Sequence, residues 1–387
     1  MELAKRVQGG KANILADLEA IRRERLEKGL AVYNLSAGTP DLPPAQHVMQ
    51  VLSQACLDAE NYKYAISDYP ELLEAAAGWY SRRFGVGLSH EQITSVYGTQ
   101  EGMAHIAFPL CDPGDVVLVP DPGYPVFRSG PLLAGAELAT MPLREENAYL
   151  IDLDKISPTL AHKAKVMVVS YPNNPVTARA NPEFYERLVH FAKKYDIFVI
   201  HDNAYCELVL EGEPGMSFLA VKGAVDIGME FNSLSKAYNL TGMRMSFALG
   251  NQKVISAFKT FRSAIDYGPF PAAQKAAIAA LTGPQDILDS NRNEYRRRRD
   301  ALTNGLRAIG WNVPTCDSTM FVWYPLPKGY TDDVKFTFEL LEKTGVICVP
   351  GSSFGEMGKG YIRMALVLPP SEIEKAVASI EFAKILT

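Results

Sequence analysis

Lys236 sits in the run Phe231-Asn232-Ser233-Leu234-Ser235-Lys236-Ala237-Tyr238-Asn239-Leu240-Thr241-Gly242-Met243-Arg244, an amine among hydroxyls with a guanidinium a short way downstream. A lysine amine can attack a carbonyl carbon, and an arginine beside serines suits a phosphate, which it holds through charge-assisted bonds. Taken alone, a lysine in a polar turn is a solvated surface residue. Here, however, the run follows Val225 to Asn232, a short apolar stretch suited to a buried strand. Ligands of open α/β sheets bind just beyond the carboxyl ends of such strands.

Three more polar clusters fall in the same kind of place. Gly98-Thr99-Gln100-Glu101-Gly102 follows the apolar Ile93 run and opens a helical pattern, so its free N–H groups suit a phosphate; Thr99 as a simple N-cap is the plainer reading. Tyr171-Pro172-Asn173-Asn174-Pro175 follows Val166 to Ser170; Asn-Pro commonly marks only a turn, but an asparagine fixed there could donate to a phenolate oxygen or a carboxylate. Asp202-Asn203-Ala204-Tyr205 follows Ile197 to His201. A carboxylate at a buried strand end needs a partner, and a protonated ring nitrogen would supply one; helix capping by Asp202 is the alternative. A phosphate cradle, a carboxylate, phenolate-oxygen donors and an amine nucleophile together form the set that pyridoxal 5′-phosphate requires.

Positioning these clusters requires a regular frame. Ile93 to Tyr97, Asp115 to Val119, Val166 to Ser170, Ile197 to His201, Asp226 to Asn232 and Met245 to Gly250 are apolar runs, with helical patterns such as Gln100 to Leu110 and Pro182 to Tyr195 between several of them. That alternation predicts an α/β fold with a doubly wound, mostly parallel sheet covered on both faces, over residues 45–283. After Gly283-Pro284, a charged helix over Asn291 to Ile309 leads to Phe321 to Tyr324, Val346 to Val349 and Tyr361 to Ala365. This predicts a smaller α+β domain from residues 284–387 together with 1–44. The N-terminal part contributes an amphipathic helix from Ala12 to Lys28, with Ile14, Leu15, Leu18, Ile21 and Leu26 as its apolar stripe and Gly29 as its stop. It also contributes the loop Ser36-Ala37-Gly38-Thr39-Pro40-Asp41, either a substrate loop or an ordinary turn.

Two domains are the default for 387 residues. A net charge of -5 argues against nucleic acid or an anionic membrane as partner, and the one basic run, Arg296 to Arg299, reads as a solvated helix face or a domain contact. Cys56, Cys111, Cys206, Cys316 and Cys348 are scattered, without a Cys-x-x-Cys pair, which suggests reduced thiols in the cytoplasm and no metal site. Met1 to Gly29 is too charged for a signal peptide, and no run reaches the roughly 20 apolar residues of a membrane span.

Ser233-Leu234-Ser235-Lys236 followed by Gly242-Met243-Arg244, with Asp202-x-x-Tyr205 and Asn174-Pro175 upstream, resembles the fold-type I, class I/II aminotransferases, and the similarity runs through nearly the whole chain. Asp112 to Pro125 and Phe191 to Ile197 most resemble the LL-diaminopimelate aminotransferase group. The resemblance implies transfer of an amino group from an amino acid to a 2-oxo acid such as 2-oxoglutarate, through a Lys236 Schiff base with pyridoxal 5′-phosphate. It implies that Asp202 pairs with the ring nitrogen, Tyr205 and Asn174 bond the phenolic oxygen, and Tyr124 stacks on the ring. Thr99, Gln100, Ser233, Ser235 and Arg244 would hold the phosphate, Arg363 the substrate carboxylate, and Gly38 would border the substrate. Tyr64 is the nearest candidate for a tyrosine reaching a neighbouring subunit's phosphate, which implies a homodimer. Four positions depart from the group: a glycine is missing before Pro70-Glu71, Gln100 replaces lysine, Val176-Thr177 replaces Thr-Gly, and Met243 replaces tryptophan. A β-lyase on the same fold stays open at this point, as does a nucleotide-binding α/β protein, although no Gly-x-Gly-x-x-Gly follows the first strand.

Overall fold

The computed structural model describes residues 14–386. β1 (Tyr33–Asn34) belongs to the smaller part of the fold. The next seven strands form the central sheet: β2 (Ile93–Val96), β3 (Val116–Asp121), β4 (Glu137–Pro142), β5 (Ala164–Ser170), β6 (Phe198–Asp202), β7 (Gly228–Ser233) and β8 (Ser246–Gly250). Their spatial order is β2-β8-β7-β6-β5-β3-β4, with β8 antiparallel to both of its neighbours and every other pair parallel.

Both faces of this sheet are covered, as the continuous apolar runs demand. Met167, Val169 and Val199 point into one apolar layer, beneath the helix Pro182–Tyr195. Val166, Val168 and Ile200, at alternate positions, point into the other with Met103 and Ile106. β4 was not anticipated; it lies at the sheet edge and buries only Met141, so it lacks the apolar signature of the central strands. The strand expected from Asp226 begins at Gly228, because Ala224–Ile227 closes into a helical turn.

The smaller α+β part unites both ends of the chain. β9 (Phe321–Pro325) pairs with a third-sheet partner later in the chain, while β10 (Val346–Ile347) pairs in parallel with β1. β11 (Val349–Pro350) and β12 (Tyr361–Ala365) complete an antiparallel sheet in the order β11-β12-β9. The single strand expected over Val346 to Val349 is therefore split between two sheets. The N-terminal helix runs over Ile14–Glu27, with Gly29 at φ 68° just beyond it; Ala12, at the expected start, lies outside the described residues. Leu18 is buried against Leu341 and Ile347, whereas Leu26 is exposed.

The charged helix starts earlier than expected, at Asp286, and runs to Ala308. Its basic run is a contact between parts of the fold: Arg298 binds Asp41 at 2.6 Å and Glu294 at 2.9 Å, Arg299 binds Glu211 at 2.8 Å, and Arg296 donates to the Leu210 carbonyl at 2.9 Å. Arg297 is exposed and pairs with Glu294. All five cysteines are free, and among the described residues no helix is long and apolar enough to cross a membrane and no acidic, histidine or cysteine cluster could hold a metal ion.

Candidate active site

The carboxyl ends of β5, β6 and β7 open into a cavity of about 320 Å³. The parallel register sets Ser170 beside Asp202 and Asp202 beside Phe231, so the three following turns emerge at one level. Asn174 comes from the turn after β5, Asp202 and Tyr205 from the end of β6, and Ser233, Ser235 and Lys236 from the end of β7. Thr99, Gln100 and Tyr124 border the cavity from the segments after β2 and β3, and Gly38, Phe321 and Arg363 come from the smaller part of the fold. Residues far apart in sequence thus meet because each closes a different strand.

Lys236 sits in a short helix, Leu234–Ala237, whose N-cap Ser233 accepts from the Ser235 N–H at 3.1 Å. Its Nζ donates to the Gly38 carbonyl. Burial, then the positive charges of Arg363 and Arg244, lower its pKa from 10.5 to about 8. Asp202 is buried, and burial raises its carboxyl from 3.8 to about 6 even though His201 and the Ala204 N–H, at 3.3 Å, act in the opposite direction. Neither group has an ion-pair partner among the described residues.

Arg363, on β12, is buried, with its guanidinium 4.1 Å from the Phe321 ring centre and 4.8 Å from that of Phe354. It donates to Asn174 Oδ1 at 2.9 Å and the Ser36 carbonyl at 3.2 Å, while its Nε is buried and unpartnered. Burial lowers its pKa to about 10, and no carboxylate among the described residues forms an ion pair with it. Asn174 Nδ2 in turn donates to the Tyr205 hydroxyl at 3.4 Å, and burial holds the Tyr205 phenol well above its usual range. Tyr124 donates to Gln100 Oε1 at 2.9 Å.

Arg244 also lines the cavity, donating to the carbonyls of Thr241 and Tyr97, each at 3.0 Å. Gly98 makes that approach possible: it has φ 90°, and a Cβ there would lie 2.1 Å from Arg244 Nη2. Gly98, and not Thr99, is the N-cap of the helix Thr99–His105. Two neighbours had no local sequence signal: Phe321 and Phe354 are apolar residues of ordinary appearance that only the packing lays against Arg363. Thr39 borders the cavity beside Gly38, from the loop that the sequence left open as a substrate loop or a turn. Tyr64 lies outside the cavity; it is 81 % exposed, with its ring 5.1 Å from that of Tyr267.

Comparison with known proteins identifies the family. Over 382 residues the chain is 41 % identical to the LL-diaminopimelate aminotransferase of Dehalococcoides mccartyi, covering 98 % of both chains. The solved structure of substrate-bound BacF from Bacillus subtilis superposes with a TM-score of 0.94 at 36 % identity, over 99 % of this chain and 98 % of that one. A probable N-succinyldiaminopimelate aminotransferase from Thermus thermophilus superposes with a TM-score of 0.90 at 33 % identity, over 96 % of this chain and 100 % of the other. The sequence model described as aminotransferase class I and II matches residues 31–380, and this chain belongs to that family.

Proposed function

We propose that the cavity holds pyridoxal 5′-phosphate and that the chain uses it to move an amino group from LL-diaminopimelate, or an amino acid like it, to 2-oxoglutarate. The observation that carries this reading is a half-buried amine and a buried carboxylate in one cavity, Lys236 and Asp202, neither with an ion-pair partner among the described residues. The surrounding residues fit the group: hydroxyls and Arg244 for a phosphate, Asp202 for a ring N–H, Tyr205 and Asn174 for a phenolic oxygen, and Lys236 for an aldehyde. When bound, the cofactor supplies an aldehyde carbon for the substrate amine and a ring that takes up the electron pair left when the Cα–H bond breaks.

The remaining chemistry belongs to the chain. Lys236 Nζ would take the proton from the substrate Cα and return it to the former aldehyde carbon, on the far side of the substrate nitrogen, a positioned transfer worth roughly 10²- to 10⁴-fold. With its pKa lowered to about 8, roughly a tenth of it is the neutral base at pH 7, against about 0.03 % of an ordinary lysine. Asp202 keeps a ring proton in place and regains the stabilisation that burial denies it. Arg363, with its unpartnered Nε, receives the substrate carboxylate in a slot dried by Phe321 and Phe354. An oxo acid leaves, a second one enters the same slot, and the proton moves in the reverse direction. LL-diaminopimelate is preferred as donor because several curated relatives named for it are 39–41 % identical over nearly the full chain.

We place the boundary between a large cofactor-binding domain, 45–283, and a small domain of 1–44 with 284–387 along this cavity. The active unit is a homodimer of the cytoplasm. An exposed aromatic patch supports the dimer: Tyr62 against Phe270 at 5.4 Å, Tyr64 against Tyr267, and the exposed Ile66 and Leu57. Tyr97 links that patch to the phosphate end, since its hydroxyl donates to the Tyr267 carbonyl at 3.0 Å and its own carbonyl accepts from Arg244. In the decisive experiment, full-length protein and its Lys236→Ala variant are incubated with pyridoxal 5′-phosphate, 2-oxoglutarate and a panel of donors that includes LL-diaminopimelate. Glutamate should form with the native chain and not with the variant. No cofactor binding, or equal glutamate from both, would overturn the reading.

A further inference from the structure

Beneath the sheet, on the side away from the cavity, lies a fully buried polar cluster that the reaction as described does not use. Glu230, on β7, has no exposed surface and accepts five hydrogen bonds. Oε1 receives Tyr80 Oη at 2.7 Å, Ser217 Oγ at 3.0 Å and Asn203 Nδ2 at 3.1 Å; Oε2 receives His201 Nδ1 at 2.8 Å and the Phe218 N–H at 3.0 Å. His201 Nε2 faces the Tyr185 hydroxyl at 3.0 Å. Glu230 and His201 are register partners in adjacent parallel strands, so their side chains share one face of the sheet.

Asp202 sits between the two residues that this carboxylate holds. His201 precedes it, Asn203 follows it, and each donates to a different oxygen of Glu230. The alternation of the strand sends Asp202 to the opposite face, where it borders the cavity; His201, Asn203 and Glu230 do not. Asp202 has little anchorage of its own, a single 3.3 Å bond from the Ala204 N–H. Its place is therefore set by the backbone on either side, and Glu230 fastens both sides. The same clamp starts the turn that carries Tyr205.

We propose that Glu230, acting through His201 and Asn203, is a positioning residue for the aminotransferase reaction that holds Asp202 in register with the cofactor ring. Packing alone does not call for this arrangement, because a buried charge costs several kcal/mol to desolvate and apolar residues of the same volume commonly replace such clusters without loss of stability.

This inference rests on the proposed pairing of Asp202 with the cofactor, and the test separates the two. Pyridoxal 5′-phosphate is titrated into the stripped full-length native chain and into Glu230→Gln and Tyr80→Phe, with the melting temperature and the kcat and KM for the amino donor measured for each. Tyr80→Phe removes the shortest Glu230 bond but leaves both arms of the clamp intact. Glu230→Gln should weaken cofactor binding about 10- to 100-fold, the usual effect of losing a group that orients a ligand, and lower kcat with little change in KM. Tyr80→Phe should also lower the melting temperature, by the loss of one of the five bonds, while binding the cofactor within about twofold of the native chain, as expected of a bond outside the clamp. Equal affinities for Glu230→Gln and the native chain, or losses that follow melting temperature alike in both variants, would overturn the proposal. Should Glu230→Gln not accumulate folded, Asn203→Ser, which cuts one arm, is read by the same criteria. A native chain that binds no cofactor would instead overturn the assignment of Asp202 itself.

Discussion

Asp202→Asn should stabilise the cofactor-free protein at neutral pH, although it removes the proposed partner of the cofactor's ring nitrogen. Burial raises the native carboxyl to about 6 from 3.8, so between those values the native state holds a proton that the unfolded chain has released. Stability contributed by this site therefore falls as pH rises from about 4 to about 6, and above that the full penalty remains. The rise from 3.8 to about 6, at about 1.4 kcal/mol per tenfold change in proton affinity, makes that penalty about 3 kcal/mol. Asparagine has the same shape, keeps an oxygen for the Ala204 N–H and does not titrate in this range. The variant should match the native protein below pH 4, gain through pH 5, and be more stable by about 3 kcal/mol at pH 7.5. Urea unfolding of both stripped proteins at pH 4, 5, 6 and 7.5, followed by circular dichroism, measures this directly. A variant less stable than native at pH 7.5, or an advantage equally large at pH 4, would refute the reasoning. Adding pyridoxal 5′-phosphate should reverse the order, because asparagine offers no charge to a protonated ring nitrogen.

Three further outcomes follow from the geometry. Arg363→Lys keeps a cation but loses the two-pronged contact and the stacking between Phe321 and Phe354; about 3 kcal/mol for one charged hydrogen bond and part of the cation–π contact amounts to roughly a 150-fold loss of kcat/KM. Most of that loss should appear in KM, since the carboxylate is held throughout the reaction, and steady-state kinetics with the amino donor varied will show it. Lys236→Ala should retain cofactor binding yet fall by at least about 10²-fold in turnover, read as product formation at saturating donor. Ile66→Glu, on the exposed patch, should shift the protein from dimer to monomer in analytical ultracentrifugation and weaken cofactor binding together, whereas an unchanged sedimentation coefficient would remove that face from the interface.

Local signals in the sequence were enough to read the central strands and the polar turns at their ends. Val166 to Val169 in β5 and Phe198 to Ile200 in β6 are unbroken apolar runs, because a strand buried on both faces has no solvent-facing positions to interrupt the pattern; β7 carries Glu230 and Asn232 among its apolar residues, and a polar turn follows where each strand leaves the core. Lys236, Asp202 and Asn174 could be picked out on that ground. β4 could not, since an edge strand that buries one residue carries no such pattern. Nor could the split of Val346 to Val349 between two sheets, which depends on what each pair of residues meets across a strand gap.

Other features exist only once the chain is folded. Phe321 and Phe354 are unremarkable as residues, and packing alone makes them the walls around Arg363. The Arg296 to Arg299 run left two readings open, a solvated face or a contact, and the partners Asp41, Glu211 and the Leu210 carbonyl decide for contact. The clearest case is Glu230. In sequence it is an acidic residue inside an apolar run, and only the parallel register that sets it beside His201 and beneath Asn203 turns it into a clamp around Asp202. Periodicity and turn chemistry are local properties and can be read along the chain. Pairing, burial and the loss of solvent around a charge depend on residues brought together from distant segments, and those the tertiary structure decides.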